Sequence, residues 1–573
     1  MSGIQDFVYA LEVGSFRQWL LRLAILALLG GLGIFYFIKQ FNGFKHRESM
    51  DMAQLSRQIA LGEGYTTKFL RPIQLAKMRP TEADLARFPD VVNPPVFPYV
   101  SALLFKTTGA SFFVDIERLR DFSVFSPERI IVLFNLTAIV AAVVLLYLWM
   151  LRSFDSRVAT TACILFAVTD LVWANAIWGL NNSFITFEIC LLGFLLNEAL
   201  ISEENDSSGL ALFWFILASI VVGVLILTSY SMTVIYLPLI GLGVLAFHYR
   251  IRMAAVAVVL PLIIISPWLY RNFELTGHPF GYSWIEIFTD NGRFAGDSLW
   301  RIYDLGNTSP GGLKPLLRAL SLGAAHVMEN LATLMGGLIP VGLTVVGCFH
   351  MFRRHRSQAS RWFWLAIFVA LIVFNGALLK EREIADVTGM NLLITLLPVC
   401  CGFGAAFAFI LFDRMNLPSS ILVYPLVGLL CLLQATPIVL KIIQKPAPAF
   451  AYPPYFPPIL FLTKSWIEPD EVMSSDIPWA VAWYSQRLCV WLPTEKDEFF
   501  ALSDFEIKIV SILLTPESQK GSLFTDIESG QFADWSGIIT RRDFNNLPLP
   551  SVTVLPPNKD DYLMLADRPR WKE

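Results

Sequence analysis

Between residues 19 and 440 the sequence returns repeatedly to stretches of roughly membrane-spanning length that carry almost no charge. A hydrocarbon core about 30 Å thick demands that length of a helix, and a helix satisfies its own backbone hydrogen bonds where no water can. The stretches lie at 19–38, 130–151, 158–178, 183–201, 209–228, 232–247, 253–267, 331–350, 362–379, 392–412 and 421–440. They predict an all-α polytopic membrane protein of about eleven transmembrane helices. Composition agrees, since 55% of the 573 residues are hydrophobic and 16% are charged, against about 25% charged in soluble domains. A formal net charge of −3 supplies no basic field, which excludes nucleic acid as a partner. Six of the seven cysteines fall inside apolar stretches and only Cys489 lies in a polar region, so no disulfide framework is indicated. The first stretch is not trailed by a small-residue cleavage site and reads as a retained anchor.

The arginines orient the chain. With Arg17 and Arg22 on the cytoplasmic side, Arg152, Arg157, Arg250, Arg252, Arg353, Arg354, Arg356 and Arg414 all fall in short loops on that side, as the positive-inside rule requires. One loop of the set, 202–208, is acidic instead. This orientation puts 39–129, 270–330 and everything after Lys441 on the outer face, the periplasmic side of an inner (plasma) membrane. Within the first of these, the run 94–105 is too short and too rich in proline to cross, and reads as a juxtamembrane helix lying at the interface. From Trp466 the tail alternates strand-like runs (488–492, 507–514, 562–566) with a helix-like run at 479–486, the pattern of a small α/β domain. The expected division is a transmembrane domain over 1–443, with periplasmic loops at 39–129 and 270–330, and a periplasmic C-terminal α/β domain over 444–573.

Chemistry is sought in the outer loops. Glu48 and Asp51 are three residues apart, which on a helix sets both carboxylates on one face, close to the outer end of the first span. Flanked by Lys45 and Arg47, either acid can serve as general base for an acceptor hydroxyl or amine. The structural alternative is an acidic first turn favoured by the helix dipole. Asp170 and Glu188 lie within apolar stretches, and no basic partner for either is evident, so both read as buried hydrogen-bonding residues. No His-x-x-His or Cys-x-x-Cys spacing marks a zinc site; His46 with Glu48 and Asp51 offers at most a weak divalent-cation site.

The loop acids are followed by Gln54-Leu55-Ser56-Arg57-Gln58-Ile59-Ala60-Leu61-Gly62-Glu63-Gly64-Tyr65. Further on come Asn93-Pro94-Pro95-Val96-Phe97-Pro98, Leu227-Thr228-Ser229-Tyr230-Ser231, and Ser266-Pro267-Trp268-Leu269-Tyr270-Arg271-Asn272 running into Thr276-Gly277-His278-Pro279-Phe280-Gly281. In this order the motifs resemble those of GT-C fold membrane glycosyltransferases, in the protein-mannosyltransferase and lipid A aminoarabinose-transferase branch. The resemblance extends to about Phe412 and rests on the order of weak motifs.

It implies a sugar donor linked to polyprenyl phosphate, inverting transfer on the outer face to a lipid, glycan or protein acceptor, and a catalytic acid in the first loop. Counting back from Gly62, that acid falls on Glu48, with Asp51 as the alternative carrier. Two departures stand out: Gly179-Leu180-Asn181-Asn182 replaces a segment where many members carry a second acid, and Asn391 stands where relatives often have an arginine. Phosphate binding then falls to Lys380 and Arg382, with Arg271, His278, Lys68 and Arg71 as further candidates for the donor. The basic cluster Lys68, Arg71, Lys77 and Arg79 also reads as an interfacial helix meeting the phosphates of membrane lipids. The motifs call for no organic cofactor. Two other classes compete: a transporter or flippase for a polyprenyl-linked lipid, which should show an inverted repeat and broken helices, and a membrane-anchored sensor or assembly protein working through its tail.

Overall fold

The structure is a computed structural model that describes residues 15–114, 124–283, 285, 298–303, 313–348, 355–379, 390–415, 423–444, 448–518, 527–528, 532–541, 544, 547–557 and 561–571. Among these, eight helices are long and apolar enough to cross a membrane: Leu23–Gln40, Ser126–Ser153, Asn182–Glu204, Ser208–Thr228, Arg250–Thr276, His355–Gly376, Leu393–Arg414 and Val423–Ile443. The chain is a multi-pass membrane protein. The three remaining expected spans differ in kind. Ser156–Ala167 and Asp170–Ile177 are two helices meeting at a 55° bend, and Tyr230–Leu245 and Leu338–Gly347 are shorter apolar helices.

Polar side chains gather at the bend. The Thr169 hydroxyl donates back to the Leu165 carbonyl at 2.8 Å, a side-chain bond that competes with the helix ladder. Gln434, from the span Val423–Ile443, donates its amide to the Thr169 hydroxyl and to the Gly336 carbonyl, both at 2.9 Å. One side chain thus closes two interruptions, at Thr169 and at Gly336, as polar backbone at membrane depth requires. Periodicity gave no sign of broken helices here, because apolar composition runs straight through the bend.

Asp170 opens the second half of the bent pair and has the basic partner that the sequence did not disclose. Lys441 Nζ lies 2.7 Å from its Oδ2, and the Tyr36 hydroxyl donates to its other oxygen. Glu188 accepts from the Thr228 hydroxyl at 3.0 Å. The acidic 202–208 loop is also accounted for. Glu203 accepts from the His248 backbone N–H at 2.6 Å, and Glu204 from that of Arg356 at 3.0 Å, so both acids cap neighbouring chain rather than stand as free charge.

A six-stranded sheet covers one end of the helices. Its strands are β1 (Phe69–Leu70), β2 (Val472–Ser475), β3 (Leu488–Trp491), β4 (Ile509–Leu514), β5 (Ser551–Leu555) and β6 (Tyr562–Ala566), in spatial order β1-β3-β2-β4-β6-β5. The first four are mutually parallel, and β6 pairs antiparallel with both β4 and β5. The three expected tail strands are present. The run 479–486 forms the short helix Pro478–Ala480 and the π-turn Val481–Ser485, ended by Gln486 at φ 57°. The unforeseen member is β1, which belongs to the first loop and pairs Phe69 with Cys489. Behind it the helix Pro72–Met78 puts Leu75 into the same core as Leu488, Ile509 and Trp535. The expected interfacial helix is Val96–Thr108, 13 residues closed by Gly109 in the left-handed conformation.

Candidate functional site

The helix Arg47–Leu61 follows the first span after a short turn and ends at Gly62, whose φ of 86° a side chain would resist. Residues 49–58 of this helix are all buried. Glu48 and Asp51 point from it into a cavity of about 360 Å3. Arg47 and Arg71 share the cavity with them, and Asn93, Asn181, Ser229, Tyr230 and Ser283 supply uncharged polar groups. Phe374, Met390, Leu392 and Met52 make an apolar wall, and Trp491, the last residue of β3, closes one side.

Asp51 is 4% exposed and fully engaged. Its Oδ2 accepts from Arg71 Nη2 at 2.6 Å and from the Asn93 amide at 2.9 Å, and its Oδ1 from the Gln54 amide at 3.2 Å. Arg71 lies over the Phe69 ring, 4.2 Å from its centroid, and 5.5 Å from that of Trp300. Its Nη1 is 3.7 Å from Asp90 Oδ2 and has no hydrogen-bond partner among the described residues. Glu48 is less constrained: its side chain keeps 24% of its surface open, and Arg47 Nη2 stands 3.2 Å away.

Asp90 is fully buried and organises the turn that supplies Asn93. Its Oδ1 accepts the backbone N–H groups of Val92 and Asn93 at 3.0 and 2.7 Å. Burial, and then the neighbouring Asp51 charge, push its carboxyl above the usual range, with Arg71 and the backbone donors opposing. Arg271 braces this turn from outside. It donates to the Asp90 carbonyl at 2.9 Å while lying 4.6 Å from the Trp268 ring centroid. Gly281 docks the following loop so closely that a Cβ there would meet the Val91 carbonyl at 1.9 Å. That approach brings Phe280 and Ser283 of the same loop to the cavity.

Of the residues singled out from sequence, Glu48, Asp51 and Arg71 are brought together. Arg271 lies one turn away, acting through the Asp90 carbonyl. His278 is exposed and its backbone bonds to Thr276. Lys68 turns toward the tail, where its ammonium donates to the Gln486 carbonyl at 3.1 Å. Burial and the charges of Arg57 and Arg487 pull that ammonium down to about 8. Lys380 and Arg382 fall outside the described residues. His46 packs edge-on against Trp178, ring centroids 4.7 Å apart, and no group of three His, Cys, Asp or Glu side chains among the described residues is placed to hold a metal. Asp90, Trp300 and Trp491 escaped sequence reasoning. Only Asp90 carried a signal, three residues ahead of the Asn93-Pro94-Pro95 motif.

No protein-family model and no curated protein sequence matches the chain. Solved structures do. The oligosaccharyltransferase AglB from Archaeoglobus fulgidus, in complex with an inhibitory peptide and a dolichol-phosphate, superposes with a TM-score of 0.57 at 10% identity, over 97% of this chain and 75% of AglB. ArnT from Cupriavidus metallidurans bound to undecaprenyl phosphate superposes with a TM-score of 0.53 at 11% identity, over 96% of this chain and 98% of ArnT. Both are GT-C fold membrane glycosyltransferases. This chain has the GT-C fold. The resemblance read from weak motifs therefore holds at the level of fold, and it reaches past Phe412 into the tail.

Proposed function

We propose that this GT-C protein transfers a sugar from a polyprenyl-phosphate-linked donor to a lipid, glycan or protein acceptor, with inversion, in the cavity beside the Arg47–Leu61 helix. The observation that carries this reading is one cavity holding two carboxylates, two arginines and an apolar wall. Such a mixture suits a donor that is anionic at its phosphate and hydrocarbon beyond it. Fold analogy adds that AglB and ArnT were solved with dolichol-phosphate and undecaprenyl phosphate. The sheet-bearing end would face the periplasm of an inner-membrane protein.

Glu48 is the general base in this reading. Asp51 spends its charge on Arg71, whereas Glu48 meets one cation among the described residues, Arg47 at 3.2 Å, and stays open to the cavity. Glu48 takes the proton of the acceptor hydroxyl or amine as that atom attacks the anomeric carbon, and the lipid phosphate departs from the opposite face. The leaving phosphate is already anionic and needs no acid. Arg71, fixed by Asp51, offers the phosphate oxygens its Nη1, which makes no hydrogen bond among the described residues. Lys380 and Arg382 remain donor-phosphate candidates, in the stretch between the cavity-lining Phe374 and Met390.

Transfer assays with membrane lipid extracts as donor source test the assignment. Glu48→Gln should bind donor normally and lose about 10²- to 10⁴-fold in rate. Asp51→Asn and Arg71→Ala should instead raise donor KM about 10- to 100-fold, the worth of a charge-assisted hydrogen bond. Wild-type rates in Glu48→Gln would remove Glu48 as the base, and wild-type rates in both Glu48→Gln and Asp51→Asn would remove the first loop from the chemistry. Movement of a labelled lipid across vesicles without any sugar transfer would favour the flippase reading instead.

A further inference from the structure

Neighbouring residues on a helix point about 100° apart, so Arg47 and Glu48 do not meet through helix geometry alone. Arg47 also sits at a helix N-terminus, where the dipole disfavours a cation. Something outside the helix holds its guanidinium 3.2 Å from Glu48. Among its described neighbours are the Met390 sulfur, 4.0 Å from Nη2, and a corner of two indoles: Trp479 and Trp491 stand at 86° with centroids 5.3 Å apart, and the Arg47 guanidinium carbon lies 6.0 and 5.3 Å from their centroids. The corner is rigid. Trp479 donates its indole N–H to the Tyr455 hydroxyl at 2.9 Å, Phe69 packs against both indoles, and Trp491 ends β3, whose strand is paired on both edges.

We infer that Trp491, with Trp479, is a positioning residue for the reaction: the C-terminal sheet supplies the aromatic corner that aims Arg47 at Glu48 and so sets the carboxylate's orientation toward the acceptor. This rests on the reading of Glu48 as general base. It assigns the tail a part in turnover rather than in stability alone.

The discriminating variants are Trp491→Leu, which stays apolar but removes the aromatic face, and Trp491→Phe, which keeps a face; both are made in the full-length protein. Two readouts are taken. The first is the rate at which phenylglyoxal modifies Arg47, followed by peptide mass spectrometry, with Arg71, anchored by Asp51, as the internal reference. Loss of a cation–π contact should raise Arg47 modification about tenfold in Trp491→Leu, leave Arg71 unchanged, and be largely reversed in Trp491→Phe. The second is steady-state transfer, where kcat should fall about tenfold in Trp491→Leu with donor KM unchanged. Arg47→Met should reproduce that fall, and the double variant should be no slower than Arg47→Met, because both changes break one linkage. Equal Arg47 reactivity in wild type and Trp491→Leu overturns the proposal. So does a freed Arg47 with kcat intact, which would leave the function of the cavity standing. Absence of transfer by the wild-type protein would sink the glycosyltransferase reading itself, and with it Trp491's role in turnover, whatever the Arg47 reactivity shows.

Discussion

The span Ser126–Ser153 touches both ends of the molecule, and the two ends treat charge in opposite ways. At its first turn Glu128 is fully buried and accepts from the Trp483 indole at 2.9 Å and the Tyr484 hydroxyl at 2.6 Å, both in the tail. At its last turn Arg152 pairs with Glu198 at 2.7 Å with 53% of its side chain exposed. The same contrast extends outward. Around the sheet, Arg57 is fully buried and donates to the Trp483 and Ala482 carbonyls at 2.5 and 2.8 Å, and Arg301 is fully buried on the Leu492 and Pro493 carbonyls. At the far end Arg157, 56% exposed, meets Asp155 at 3.5 Å. Charge buried beside the sheet joins distant parts of the chain, whereas Arg152 and Arg157 at the far end sit exposed at helix ends.

If that contrast is sound, removing charge should cost far more beside the sheet. The largest effect is expected from Arg57→Met, which strands two buried carbonyls. It should cost about 3 kcal/mol, seen as a lowered Tm in detergent and as loss of donor binding, since the Arg47–Leu61 helix would lose its grip on the tail. A variant as stable as wild type would break the comparison outright.

A medium effect is expected from pH. Burial holds the Asp476 carboxyl up at about 7, against the backbone N–H groups of Thr515 and Ser518 that favour its charged form. Between about pH 4 and pH 7 the folded tail therefore keeps a proton that the unfolded chain releases. The sign follows: this group makes stability fall as pH rises through that window and contributes no further slope above it. Asp476→Asn keeps an acceptor for the same N–H groups and should flatten the slope, a difference of several degrees in Tm between pH 5 and pH 8. An identical slope in both proteins would show that Asp476 is not its source. The smallest effect belongs to Arg157→Met, at under about 1 kcal/mol, the usual worth of a solvated pair, since Arg157 and Asp155 are both about half exposed. A larger loss would mean that the far end is more than a rim.

Legibility in the sequence follows the same line. Apolar blocks and alternating tail strands are local patterns, and they gave eight full spans and three of the strands, while the order of short motifs carried the GT-C resemblance. What failed to show was pairing at a distance. Asp51 with Arg71, Asp170 with Lys441, and Arg57 with the Trp483 carbonyl join residues that no periodicity relates. Within the candidate site, helical spacing put Glu48 and Asp51 on one face. It could not say that Asp51 is consumed by Arg71, nor that Trp491 forms a wall. Nor could it show that the ammonium of Lys68, a donor candidate, meets the Gln486 carbonyl in the tail.

The strand β1 has a consequence in time as well as in space. Phe69 and Leu70 emerge early in synthesis, but the strand they pair with, around Cys489, is made only after every membrane helix has been threaded. Until then Leu70, Leu75, Leu85 and Phe88 have no core to enter, since the rest of theirs comes from the tail. Contacts of such long sequence separation form late and leave apolar surface waiting. The cavity therefore assembles last, so a nascent or prematurely terminated chain would sit in the membrane among its lipids without a finished site to act on them.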